Sequence, residues 1–303
     1  METFEKARRF IYRNARPVDL ARWQYHFENG SKEAVMNTLS AYQNPDGGFG
    51  NGLEADNFNP HSSPMQTWQA ANIIGEIGFH GEHPVISGML RYLESGEHFD
   101  EEHRQWLNTI PSNNDHPHAI WWEYSGNDPF SYNPTAALAA FILLHSPKWS
   151  SLYAKGETLA KEAVSFFTKS DIAPEPHVTS CFIELYNALK EINAPENELK
   201  MLKNAISESI GKLFCPDTSK WGKEYVSLPS TFISGTDSEF ISGYEELCYE
   251  ECDFIIDSQL DDGSYPIPWQ WCNDYKEVIL ADNFWKSIIA MNNMLFLRGM
   301  KKL

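Results

Sequence analysis

The stretch Thr135–Leu144, TAALAAFILL, is apolar on every face. A helix with no polar face cannot lie at a surface and must be covered on all sides. Met65–Ile77 and Phe284–Leu297 come close to the same character. Between them lie helices of a second kind. Glu196–Phe214 puts Leu199, Leu202, Ile206, Ile210 and Leu213 on one stripe, with Lys200, Lys203, Glu208 and Lys212 opposite. Leu152–Thr168 likewise sets Leu159, Ala163, Phe166 and Phe167 against Lys155, Glu162 and Lys169. No segment alternates as a strand does. The pattern predicts an all-α fold in concentric layers, amphipathic helices outside and apolar helices inside, with helical hairpins closing into a barrel.

Start signals support the inner set. Ser63-Pro64-Met65-Gln66 combines an N-cap serine, a proline at the first helical position and a capping-box glutamine. Asn133-Pro134 repeats the cap-plus-proline device, and Asp282 is the expected cap before Phe284 and Trp285.

A chain of 303 residues can bury roughly 75% of its unfolded surface, so the core needs no disulfide or metal staple. The net charge of −18 would repel a phosphate backbone or an anionic bilayer, and the short basic clusters, Lys6 to Arg9 and Lys301-Lys302, are terminal. Nucleic-acid binding is not expected. The longest apolar run, Pro134 to Leu144, is too short to span a membrane, so insertion is not expected either. Five cysteines form no CxxC pair, and Cys248 and Cys252, four apart on a helix, read as buried thiols. With an N-terminus that carries charge throughout, the chain reads as soluble and cytoplasmic.

Two stretches repeat a short signature. Gln43-Asn-Pro-Asp46-Gly47-Gly-Phe49 and Gln259-Leu-Asp-Asp262-Gly263-Ser-Tyr265 both read Q-x-x-D-G-x-aromatic. Each ends an amphipathic helix and precedes a long loop to a buried one. A worn copy, Pro216-Asp217 to Trp221-Gly222, follows the helix ending at Phe214. The glycine admits the positive φ that reverses the chain, the glutamine amide can bond backbone groups of a neighbouring helix end, and the ring covers that bond. The motif is expected to clasp outer and inner helices, with a structural role for its residues.

These residues resemble the QW-type repeat of the squalene–hopene cyclases and of the β subunits of protein prenyltransferases. The set NPDGGFG…LEAD…SSP, WWEY…NPTAALA and DGSYPIPWQW is more specifically similar to prenyltransferase/squalene-oxidase-repeat proteins. The resemblance implies an α/α toroid, a ring of inner helices within a ring of outer ones, here a single domain over residues 1–303. It does not bring the chemistry of those families with it. Leu53-Glu54-Ala55-Asp56 and Leu260-Asp261-Asp262-Gly263 are the nearest strings to the D-x-D-D acid of the cyclases, and neither matches. The prenyltransferase zinc site needs Asp-x-Cys and a later histidine, yet the last histidine is His177, ahead of Cys248, Cys252 and Cys272. His98, His103, His116 and His118 form no recognised metal motif. No cofactor or metal is expected.

The long loops, roughly 44–62, 97–132, 215–242 and 259–281, would gather at the N-terminal ends of the inner helices, where helix dipoles favour anions. Candidate catalytic residues there are Glu54, Asp56 and Glu123, since paired carboxylates can divide acid and base roles. Candidate ligand-binding residues are His118, Trp121, Trp122, Tyr132, Trp269 and Trp271, whose aromatic faces suit a cation or a sugar ring. Trp269 and Trp271 share a side if their loop is extended. Three readings stay open. The first is a toroid holding a small, partly apolar ligand, an isoprenoid among the candidates, in a central cavity. The second is a carbohydrate-active enzyme, and the third a non-catalytic binding or scaffold module. Oligomeric state is not legible.

Overall fold

The structure is a computed structural model that describes residues 2–169 and 173–303. Among these residues the regular structure is almost wholly helical, as expected. In chain order the helices are α1 (Glu2–Asn14), α2 (Pro17–Phe27), α3 (Lys32–Leu39), α4 (Pro64–Glu76), α5 (Pro84–Ser95), α6 (Thr135–His145), α7 (Ser151–Lys169), α8 (Pro176–Glu191), α9 (Glu196–Leu213), α10 (Glu245–Asp257) and α11 (Val278–Gly299). The short strands β1 (Phe99–Asp100) and β2 (Gln105–Trp106) pair antiparallel. No helix among the described residues is long and apolar enough to cross a membrane. The chain divides into two compact units, Leu39–Lys212 and Met1–Thr38 with Leu213–Leu303.

In the central unit, α6 is covered as its sequence demands. It packs against α4, α5, α7 and α8, and every residue from Thr135 to Leu143 is buried. The inner series is therefore α4, α6 and α8. Helix α8, which the apolar pattern did not single out, joins it through Val178, Cys181, Phe182 and Leu185. Helices α5 and α7 pack on α6 and on each other. Helix α9 buries Leu202, Ile206 and Ile210 while Lys200, Glu208 and Lys212 remain exposed, the expected amphipathic division.

Three start signals work differently from their sequence reading. Ser63 does cap α4, accepting the Gln66 N–H at 3.1 Å. The Gln66 side chain, however, does not close a capping box. It accepts from the Leu53 N–H at 2.9 Å and donates to the Asn59 carbonyl at 3.0 Å, because the preceding loop offers buried backbone groups that need partners. Asn133 makes no cap bond to α6; its side-chain oxygen instead accepts from the Cys181 thiol. Asp282 lies inside α11, which begins a turn earlier, at Val278.

In the terminal unit, α11 packs on α1, α2 and α10. Within Phe284–Leu297, Ala290, Met291, Met294, Phe296 and Leu297 are buried and Phe284, Trp285, Ile288 and Ile289 half-buried, so cover is less complete than the apolar sequence implies. Cys248 and Cys252 are buried, as read from the sequence.

Each complete repeat forms a clasp with the same geometry. The Gln43 amide donates to its own turn at the Gly47 carbonyl and to the Val85 carbonyl in the first turn of α5, both at 2.9 Å. The Gln259 amide donates to the Gly263 carbonyl at 3.2 Å and to the Thr3 carbonyl in the first turn of α1 at 3.0 Å. The aspartate braces each turn, Asp46 accepting from the Gly48 N–H and Asp262 from the Ser264 N–H, both at 2.9 Å. Phe49 and Tyr265 are buried over the turns. The glutamines thus reach the amphipathic helices α5 and α1 rather than an apolar one.

The glycines are dictated twice. Gly47 has φ +97° and Gly263 φ +95°, and a Cβ on either would lie 2.0 Å from the Gly88 carbonyl oxygen or 2.1 Å from that of Lys6. Backbone occupies that space, so no side chain can yield. Gly47→Ala and Gly263→Ala are each expected to lower stability by about 2 kcal/mol or more, measured by urea denaturation. Equal, near-zero losses would show that the clasps are not needed.

Candidate functional site

The loop before α4 is held against the loop before α6. The Ala119 N–H donates to the Asp56 carbonyl and the Phe58 N–H to the Pro117 carbonyl, both at 2.9 Å, and Asn57 pairs with His118. Asn59 donates to Ser112 at 2.9 Å and to Asn113 at 2.8 Å. This brings together four of the residues expected from sequence. Glu54 and Asp56 are buried; Glu54 accepts from the Gln69 amide at 2.6 Å and Asp56 from the Trp122 indole at 2.7 Å. His118 is buried too, and its Nδ1 meets the His116 carbonyl at 2.6 Å. A carbonyl can only accept, so Nδ1 carries the proton.

The other candidates lie elsewhere. Trp121 and Glu123 are exposed beside this cluster. Tyr132 is buried, its N–H bonded to the Gln105 side-chain oxygen at 2.6 Å and its ring 5.0 Å from that of Phe166. Trp269 and Trp271 belong to the terminal unit. Trp269 is half-buried, edge-on to Trp285 at 5.2 Å, whereas Trp271 is buried.

At the opposite, C-terminal ends of the inner helices the central unit contains a cavity of about 300 Å³. Its apolar wall comes from Ala71 on α4, from Ala137, Ala140, Phe141 and Leu144 on α6, and from Ala188 on α8. Its polar groups include Glu184, Asn187 and Glu191 on α8 and His145 at the end of α6. His80 and Glu191, both exposed, stand at the rim with His80 Nδ1 3.6 Å from the Glu191 carboxylate.

Glu184 is the group that sequence reasoning missed. The Trp68 indole of α4 donates to both of its carboxyl oxygens at 3.2 Å. Burial opposes its charged form and pushes its pKa up to about 8, the indole bond offsetting only part of that. His145 moves the other way, down to about 4, through burial and the neighbouring His80. Burial thus favours the uncharged form of both groups. One signal was present in the sequence: Glu184 is the lone charged residue in Val178–Leu189, VTSCFIELYNAL. Its meaning depended on Trp68, a helix remote in sequence.

No protein-family model, no curated protein and no solved structure matches the chain.

Because the folded pKa of Glu184 lies above its unfolded value of 4.5, the unfolded state binds fewer protons between pH 4.5 and 8, and this group makes stability fall as pH rises through that window. His145, lowered from 6.5 to about 4, contributes stability that is lost as pH falls from 6.5 towards 4. Above pH 6.5 the histidine no longer contributes. Glu184→Gln, which keeps an acceptor for the indole, is expected to flatten the decline in unfolding free energy between pH 6.5 and 8. Urea titrations of both proteins across that window measure it; parallel curves would place Glu184 in water.

Proposed function

We propose that this chain is an α/α-toroid protein of the terpenoid-cyclase and protein-prenyltransferase kind. It holds a small, partly apolar ligand, isoprenoid chains falling within that class, in the cavity formed by α4, α6 and α8. The observation that carries the binding reading is the cavity of about 300 Å³ walled by small and apolar residues of three inner helices. That volume is at the lower end of ordinary ligand sites, which suits a small molecule. Its polar groups, Asn72 and Glu76 on α4, His80 after it, His145 at the end of α6 and Glu184, Asn187 and Glu191 on α8, give a bound molecule polar contacts beside an apolar wall.

The toroid reading is supported by the covered series α4, α6 and α8 with amphipathic helices packed outside it. It is also supported by the second clasp, in which Gln259 near the end of the chain grips the first helix at Thr3. For a closed double ring of this length, small-angle scattering should give a radius of gyration of about 19 Å; an open superhelix would give a clearly larger value.

The role is one of binding. Glu54 and Asp56 serve it by fixing the loops at the far ends of the inner helices, each accepting a side-chain hydrogen bond there. Geraniol, a ten-carbon isoprenoid alcohol, is a suitable probe for calorimetric titration. Saturable one-to-one binding is expected for the native protein, weakened at least tenfold in Ala71→Leu and in Ala140→Leu, which fill the cavity from α4 and α6. Binding left unchanged by both variants would place the ligand elsewhere.

A further inference from the structure

The cavity has acidic side chains and no fixed basic one. Its titratable lining groups are Glu76, Glu184, Glu191, His80 and His145, and among the described residues no lysine or arginine lines it. Lining residues come from the last turns of three helices: Asn72, Gly75 and Glu76 of α4, Phe141, Leu144 and His145 of α6, and Asn187, Ala188 and Glu191 of α8. Each helix C-terminus carries a partial negative charge from its aligned peptide dipoles, reduced where the following turn donates to its last carbonyls, and three such ends face one small volume. Aromatic faces are present as well, from Phe79 and Phe141. An anionic ligand finds no lysine or arginine there, whereas a cation meets helix ends, carboxyls and rings together.

The second observation is the state of Glu184. Among the described residues its carboxyl has one hydrogen-bonding partner, the Trp68 indole, which is a donor. A protonated carboxyl also carries an O–H donor, and an ionised one has lone pairs to spare. Neither need is met by the protein, although the group lines the cavity. A ligand that supplies positive charge and N–H donors would meet it.

We propose that the cavity binds a small organic cation, a protonated amine on a short apolar body, with Glu184 as its counter-ion. The inference rests on the binding reading above and names the ligand class. The apolar body lies along Ala71, Ala137, Ala140 and Phe141, and the ammonium group donates to the Glu184 carboxylate and to the side-chain oxygens of Asn72 and Asn187. Binding is coupled to a proton. The groups facing Glu184 are Trp68 and Glu76 from α4, His145 from α6, His80 from the turn after α4, and Cys181 and Glu191 on its own helix. No lysine or arginine is among them, so the ammonium is the charge that draws the proton from Glu184, which leaves to solvent as the ion pair forms.

Three probes of one shape test the idea: cyclohexylmethylamine, cyclohexylmethanol and cyclohexanecarboxylate. They are titrated calorimetrically at pH 7 in two buffers of different ionisation enthalpy. The amine is expected to bind at least tenfold more tightly than the alcohol, with the carboxylate weakest, and to release close to one proton per molecule bound. In Glu184→Gln the preference for amine over alcohol should fall at least tenfold and proton release should vanish. Equal binding of amine and alcohol, or amine binding without proton release in the native protein, overturns the cation assignment while leaving the cavity as a binding site. Absence of binding by all three, with geraniol also inert, overturns the cavity reading itself.

Discussion

Helix α6 has no face that can meet water, and the central unit is organised around that constraint. Covering it takes four helices, α4, α5, α7 and α8, and the two that flank it in the inner series bring their own apolar faces with them. Alanines at 137 and 140 let the covering helices approach closely without filling all the space between their last turns. The cavity follows from the same choice of residues that buries the helix. Larger side chains there would give a denser core and no pocket.

The clasps illustrate how far a short motif can be read. The turn at Gly47 and Gly263, the bracing aspartates and the buried rings were all legible, because each depends on residues within seven positions of one another. The helix that the glutamine would grip was not legible, since Val85 and Thr3 are set by tertiary packing. The same division runs through the inner helices. Composition alone identified α6, but Gln66 was assigned to the wrong partner: a glutamine three residues after a capping serine has a local use, and the buried Leu53 and Asn59 backbone groups outbid it. In α11 the first turn lies before Asp282, carried by local backbone bonds such as Leu280 N–H to the Glu277 carbonyl, so a plausible cap residue did not mark the start.

The acidic residues differ in what the fold asks of them. Glu251 is buried under Ser230, whose N–H and hydroxyl both donate to it, and burial still raises its pKa to about 7. Glu54 and Asp56 accept from Gln69 and Trp122 and hold a loop in place. Glu184 receives one divided indole bond and faces a cavity. Holding a carboxyl out of water with so little compensation is unfavourable, which is what sets Glu184 apart from the other acids. Sequence reading favoured Glu54, Asp56 and Glu123 because they sit in long loops. It passed over Glu184 because an acid in a helix is usually a solvated one, and only the placement of Trp68 makes this one different.

The connections at the two ends of α4 and α6 differ in length. Long segments, 43–63 and 96–134, lead into the N-terminal ends of α4 and α6, and their polar groups bond to one another and to Gln66 and Gln69. The segments leaving α4, α6 and α8 are short, 77–83, 146–150 and 192–195, and turn back at once onto the helix ends, the N–H of Gly78 donating to the Gly75 carbonyl, that of Ser146 to Ile142 and that of Ala194 to Leu189. The long loops thus lie at one end of α4 and α6, and the cavity lies at the other. The field at the cavity end is set by backbone dipoles that no single substitution removes, so the sign of charge it favours is fixed by chain topology before any side chain is chosen. Glu184 and the rim residue Glu191 then act in the same direction as the backbone, and a ligand of the opposite preference would have to overcome both.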